Sequence, residues 1–447
     1  MHLGIDFGTT NSTAAIIGND GKPRVLPLDE HAPNANTLRT VLYVERDGHM
    51  HIGAAAIAVN RAQNVGRLPR FTKQWSAEID IVIAEGGTIV LDIFSDVDAD
   101  APGRLLHSLK GPLASNYEGT KLFNTFYSLE SIIAEFLARF RHRIEAVTEQ
   151  RVTRAVFGRP VNFANANSEV DNARAESRLR EAARLAGFSD VTFEMEPIAA
   201  GLAFGTHRQL SAGAHALVFD FGGGTLDVAV LRMNADGQQQ VLATGGVGIA
   251  GDRFDQAIFK RMLLPWIGQH VRWGAQRLAL PSHLLDALAD WQDAVALCNL
   301  STLAFMREAQ RNCTEPIRML ALEDYVMRGY AYDLFARVER CKVALSSRRF
   351  DVVEFDAGAL AVWQPVTRAQ FEHAIAREGR LIHDMIEDAL RRADVRADQV
   401  SCVIRTGGSS SIPYFIDMLS SMFGREAIVE EDLFTSVAAG LAVRAGM

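Results

Sequence analysis

Two short segments carry residue types that can do chemistry together. Residues 3–17 read LGIDFGTTNSTAAII and residues 217–231 read LVFDFGGGTLDVAVL. Each is an apolar run ending in Asp-Phe-Gly, then a turn of small residues, then a second apolar run. The echo pairs Asp6 with Asp220 and Gly8 with Gly222. Glycines let the backbone bend at positive φ and approach a ligand where a Cβ would collide. Successive backbone N–H groups in such a turn form a nest for an anion. Thr9, Thr10, Asn11 and Thr225 add hydroxyl and amide donors, so the turns point to phosphate. A bare carboxylate beside a phosphate would repel it, so Asp6 and Asp220 make sense only with an intervening cation. Mg²⁺, which prefers oxygen ligands and keeps several waters, supplies that link. A turn-capping role explains one aspartate but not both copies.

Each segment reads as a glycine-turned β-hairpin, and the copies lie about half a chain apart. Two similar lobes, each opening with one hairpin, are therefore expected. A chain of 447 residues is too long for one compact core and agrees with that. Hydrophobic residues make up 48% and charged residues 22%, which excludes disordered and fibrous classes. The net charge of −8 argues against a general nucleic-acid or anionic-membrane binder. No apolar run approaches the roughly 18 residues that span a bilayer. Met1-His2-Leu3-Gly4-Ile5-Asp6 lacks the regions of a signal peptide. Cys298, Cys313, Cys341 and Cys402 form no C-x-x-C and no regular framework. A cytoplasmic protein without nucleic-acid or membrane partners is the expectation. The 12 histidines include no H-E-x-x-H and no zinc spacing, which excludes a metalloprotease.

Other phosphate motifs fail. There is no G-x-x-x-x-G-K-[ST], hence no P-loop. Asp-Phe-Gly also occurs in protein kinases, yet their H-R-D…N loop and V-A-I-K strand are missing. Gly246-Val247-Gly248-Ile249-Ala250-Gly251 formally satisfies G-x-G-x-x-G. A dinucleotide site would need a strand and an acidic residue about twenty positions on. The segment Lys260 to Gly268 supplies neither.

With both loops in view, the chain resembles the DnaK-type heat-shock protein 70 family, within the superfamily of actin and the sugar kinases. Ile5-Asp6-Phe7-Gly8-Thr9-Thr10-Asn11-Ser12 resembles the first phosphate loop, and Val218 to Asp227, with Gly222-Gly223-Gly224-Thr225, the second. Glu196-Pro197-Ile198-Ala199-Ala200-Gly201-Leu202-Ala203-Phe204-Gly205 resembles the first connecting helix, and Thr435 to Ala442 the second. Val338 to Ser347 is similar to the helix that holds adenosine, and Val403 to Pro413, with Gly407-Gly408, to the adenosine loop. The resemblance implies an α/β, actin-like ATPase fold with two ribonuclease-H-like lobes flanking a nucleotide cleft. Lobe I would span 1–208 and lobe II 209–432, with 433–447 returning to lobe I.

The resemblance also implies roles for individual residues. ATP or ADP with Mg²⁺ would be the cofactor, with Asp6 and Asp220 acting on the metal through water. Gly8, Thr9, Thr10, Asn11, Gly222, Gly223, Gly224, Thr225 and Gly251 would hold the nucleotide, as would Gly407 and Gly408. Glu339, Lys342 and Ser346, spaced three and four apart on one helix face, would take the ribose and adenine. Pro197 suits the first turn of a helix, and Glu196 sits near its positive end, on the metal's water shell in the family. Small residues in both connecting helices permit close crossing, a hinge between lobes. A phosphoryl group in transfer also needs a cation. Lys110 matches the family's catalytic lysine best, with Lys73 as the alternative. Asp227, two residues past Thr225, would polarise the attacking water.

The departures are specific. The chain stops at Met447, directly after the second connecting helix, so the family's peptide-binding half is expected to be absent. Ser411 stands where the family has an arginine stacked on adenine. Losing that contact costs about 0.5–2 kcal/mol. A relay arginine of the family falls near Ser168. Residues 72–103 read as an added hairpin. Within 263–330, Leu284, Leu285, Leu288, Trp291 and Val295 follow helical spacing and predict inserted helices. The function implied is a chaperone ATPase that hydrolyses slowly to switch conformation, with client or co-chaperone proteins as partners. A small-molecule kinase and an actin-like filament are the alternatives.

Overall fold

The computed structural model describes residues 2–82, 88–206, 208, 210–235, 238–431 and 435–447, with side chains outside 74–95 and 292. The chain divides into two compact units. One comprises 1–59, 104–254 and 372–447, the other 60–103 and 255–371.

The first unit holds two sheets of the same plan. In the first, β1 (Leu3–Phe7), β2 (Asn11–Ile17) and β3 (Pro23–Val25) form an antiparallel meander. β4 (Arg154–Arg159) and β5 (Asp190–Met195) then add in parallel on the β1 side, giving the order β5-β4-β1-β2-β3. In the second, β6 (His215–Phe221), β7 (Leu226–Met233) and β8 (Gln239–Val247) repeat the meander. β9 (Val400–Thr406) and β10 (Ile428–Glu430) add in parallel beside β6. The sequence echo is therefore an echo of topology. Parallel neighbours need crossover connections, and α1 (Leu129–Thr148), α2 (Glu169–Leu185) and α4 (Pro413–Phe423) lie within them, whereas α3 (Glu196–Gly205) leads from the first sheet to the second and α5 (Ser436–Gly446) follows β10.

Local chemistry starts these helices where they start. Ser128 caps α1 by accepting the Ser131 N–H, and Leu129, Ile132, Ile133, Phe136, Leu137, Phe140 and Ile144 then bury one face. Ser168 caps α2 by accepting the Asp171 N–H, so the residue near the relay position has a structural task. α3 opens with Glu196 and Pro197 in its first turn. Ala199, Ala200 and Phe204 of α3 and Val437 and Leu441 of α5 share a core with Val156, Val218, Ala229 and Ile404. The two connecting helices thus pack against both sheets.

The second unit carries the antiparallel pair Phe71–Val82 and Thr88–Asp98, the hairpin expected within 72–103; Ile83 lies outside the described residues. It also carries helices Ser282–Leu288, Trp291–Ala296, Leu300–Arg311, Pro316–Met327 and Ala331–Ser347. Leu284 and Leu288 are buried as their spacing predicts, but Val295 is 49% exposed. The helix is interrupted between Leu288 and Trp291, so the stripe does not continue on one face. Among the described residues no helix is long and apolar enough to cross a membrane.

Candidate functional site

The two glycine turns of the first unit meet. A β-carbon at Gly223 would overlap the Thr10 side chain, and one at Gly224 would lie 2.5 Å from Thr9 Oγ1. Only glycine permits that approach. Gly251 N–H donates to the Gly222 carbonyl at 3.3 Å and Asp252 N–H to the Gly223 carbonyl at 2.9 Å, which holds the second turn from behind. Gly407, at φ +77°, backs directly onto the Phe221 peptide, where a side chain would overlap it. Ser409 Oγ donates to the Gly222 carbonyl at 2.7 Å. The adenosine loop of the resemblance is thereby tied to the second phosphate turn. Ser411 Oγ donates to the Gly408 carbonyl at 2.8 Å, closing its own turn.

Beneath the turns lies a cluster of acids around one ammonium. Asp6 is the penultimate residue of β1 and Asp220 of β6, each two residues before the first glycine of its turn. Lys110 follows the strand Gly103–His107 and a left-handed Ser108, and is 6% exposed. Its Nζ donates to Glu196 Oε1 at 2.5 Å. Asp227, 1% exposed, accepts the Val161 N–H at 2.8 Å and the Thr225 hydroxyl. Burial, then the nearby Glu196 carboxylate, raises Asp6 to about 7. The same two causes raise Asp227 to about 7. Burial and the charges of Glu196, Asp227 and Asp6 hold Asp220 well above the usual carboxylate range. Burial disfavours the Lys110 ammonium, but Glu196 and Asp6 outweigh it and lift Lys110 above its ordinary value.

Four carboxyl groups facing one lysine make a hard-oxygen donor set with an excess of negative charge. That is the chemistry of a divalent cation such as Mg²⁺, so Asp6 and Asp220 fit the metal the sequence implies. Lys73 is exposed on the strand Phe71–Val82 of the second unit.

In the second unit Glu339, Lys342 and Ser346 lie along the helix Ala331–Ser347, as their spacing predicts. Lys342 is 8% exposed and its Nζ donates to Asp255 Oδ2 at 2.7 Å. Residue type alone does not mark Asp255, whose signal is its place four residues after Gly251. The Val161 amide on Asp227 was missed as well, since a backbone donor leaves no mark in residue type.

The family model described as Hsp70 protein matches residues 110–266 and 330–447. The chain belongs to the Hsp70 family. Hsp70 proteins bind nucleotide, generally with Mg²⁺, and their actin-like ATPase fold accounts for the two equivalent sheets of the first unit. The chain is 24% identical over its whole length to the chaperone protein DnaK of Thermosipho melanesiensis, covering 59% of that protein. It is 27% identical, again over its whole length, to chaperone protein HscA homologs of Burkholderia mallei and Burkholderia pseudomallei, covering 58% of each. The chain thus spans just under three fifths of these Hsp70 relatives.

Proposed function

We propose that the chain binds Mg-ATP and Mg-ADP and hydrolyses ATP slowly, switching conformation with phosphate state as a DnaK-type chaperone ATPase. Its partners are then client or co-chaperone proteins in folding or assembly. The observation that carries this reading is the direct approach of Gly223 and Gly224 to Thr10 and Thr9, over buried carboxyl groups gathered around Lys110.

Asp6 and Asp220 would hold a Mg²⁺ through its waters, and the ion would offset the charge that spreads over a transferred phosphoryl group. The turns at Gly8 and Gly222–Gly224, with Thr9, Thr10, Asn11 and Thr225, cradle the phosphates through backbone N–H and hydroxyl donors. Lys110 orients a water in line with the γ-phosphate. The new P–O bond forms as the bond to the bridging oxygen breaks, and the water's proton leaves with inorganic phosphate. Asp227 polarises that water. No strong general base is required, because positioning and electrostatics carry most of the barrier reduction. Glu196 connects Lys110 to α3, which couples phosphate state to the helix crossing. Gly251 steadies the second phosphate turn, and Gly407 and Gly408 serve the nucleoside. Residues 1–208 and 209–432 act as the two lobes, with 433–447 returning to the first.

Calorimetry with ATP and ADP, with and without Mg²⁺, together with single-turnover phosphate release, tests the reading. Binding and slow release of inorganic phosphate are expected. Absence of binding overturns it. Phosphate transferred to a small acceptor would mark a kinase, and ATP-dependent pelleting a filament.

A further inference from the structure

We infer that Thr13 is a further binding residue for the magnesium–nucleotide, its hydroxyl holding a water of the metal's shell. The inference rests on the nucleotide reading above. Thr13 is 2% exposed and, among the described residues, its Oγ1 has no hydrogen-bond partner. Buried polar atoms in native folds are nearly always satisfied, and leaving one unmade is costly. Its neighbour Ser12 shows the ordinary case, with Ser12 Oγ and Thr40 Oγ1 paired at 2.8 Å.

The strand register says where the Thr13 hydroxyl belongs. Thr13 stands directly opposite Asp6 in the β1–β2 pairing. Opposite residues of antiparallel strands project from the same face of the sheet. On that face Asp6 interacts with Glu196, Lys110 and Asp220. The next residue of β2 on the same face, Ala15, packs with Ala438 and Ala442 of α5. Thr13 therefore marks the border where helix packing gives way to the acid cluster.

The second hairpin supplies an internal control. Asp227 stands opposite Asp220 there, in the position that Thr13 holds opposite Asp6. Asp227 accepts the Val161 N–H and the Thr225 hydroxyl. The duplicated position is polar in both copies, and only in the first is its oxygen left for something the protein does not provide. Mg²⁺ keeps several of its waters when bound, and such a water meets the need. A threonine serving only strand propensity would be replaceable by valine without effect on binding.

The test is calorimetry of ADP binding to the full chain, with Mg²⁺ and with chelator, for wild type, Thr13→Val and Thr13→Ser. Thr13→Val is expected to bind Mg-ADP about ten-fold more weakly and metal-free ADP unchanged. Thr13→Ser, which keeps the hydroxyl, should stay within about three-fold of wild type. Without nucleotide, Thr13→Val should melt at or above the wild-type temperature, because the unmade hydrogen bond is gone. Thr13→Val binding as wild type, or losing affinity equally with and without metal, overturns the inference alone. Wild type failing to bind Mg-ADP overturns the nucleotide reading and the inference with it.

Discussion

Gly440 of α5 lies against the Ala199 carbonyl of α3 so closely that a β-carbon there would overlap the peptide. The connecting helices therefore cross backbone to backbone, with small residues on both sides. Gly440→Val must push them apart, and overpacking of this kind costs about 1–3 kcal/mol or more. A lowered denaturation midpoint by urea titration is expected, along with altered phosphate release, because α3 also carries Glu196. A variant with wild-type midpoint and rate would show that the crossing tolerates separation.

Lys110→Met removes the ammonium that interacts with Asp6, Glu196, Asp220 and Asp227. Single-turnover hydrolysis should fall by about 100-fold or more, as when a charge-stabilising donor is lost. ADP binding should survive, which separates the chemical step from binding. Lys73→Ala, at an exposed position, should leave both unchanged. Undiminished hydrolysis in Lys110→Met would remove that residue from its proposed role.

The hairpins were legible because their signal is local: Asp6 to Gly8 and Asp220 to Gly224 declare a strand end and a glycine turn within a few residues. The start of α3 was legible for the same reason, through Glu196 and Pro197. The repeat declares the duplicated hairpins β1–β2 and β6–β7, but not the parallel strands β4, β5, β9 and β10 that extend each sheet. What stayed hidden depends on distant chain segments. Lys342 finds Asp255, and Asp227 finds the Val161 amide, across sequence separations no periodicity spans. The exposure of Val295 was hidden because a helix break after Leu288 changes its face without altering the spacing of apolar residues.

The raised acids give a pH signature. Burial, then Glu196, lifts Asp6 and Asp227 from 3.8 to about 7. Between those values the native chain holds protons that the unfolded chain has lost. This stability contribution is complete below the ordinary value and disappears as pH rises through about 7. His107, held neutral by burial, acts in the opposite sense but only below its ordinary 6.5. Metal-free protein should therefore melt lower at about pH 8 than at about pH 6.5. Mg²⁺ favours the ionised carboxylates, so Mg-ADP should release protons on binding near pH 6.5. Calorimetry in two buffers of different ionisation heat reads that release directly, and no difference between buffers would contradict it.

Within the second unit, Lys342 and Asp255 form a buried pair. Removing either partner leaves a buried charge, at a cost of about 3–5 kcal/mol. Lys342→Met and Asp255→Asn should each lower the denaturation midpoint, and the double variant should lose less than the sum. Additive losses would show that the two side chains do not stabilise one another.

Ser411 bonds its own loop, donating to the Gly408 carbonyl at 2.8 Å. The resemblance places an arginine there, stacked on adenine. Ser411→Arg would exchange one local hydrogen bond, worth about 1 kcal/mol, for a cation–π contact of about 0.5–2 kcal/mol. The loop itself should persist, because Ser409 still holds the Gly222 carbonyl and Ser410 Oγ still donates to the Gly407 carbonyl. Where stacking outweighs the lost bond, ADP affinity rises by up to about five-fold. The gain must vanish for a ligand that lacks the base, such as tripolyphosphate. Competition calorimetry of ADP against tripolyphosphate measures both. Equal change for the two ligands would place position 411 away from the adenine.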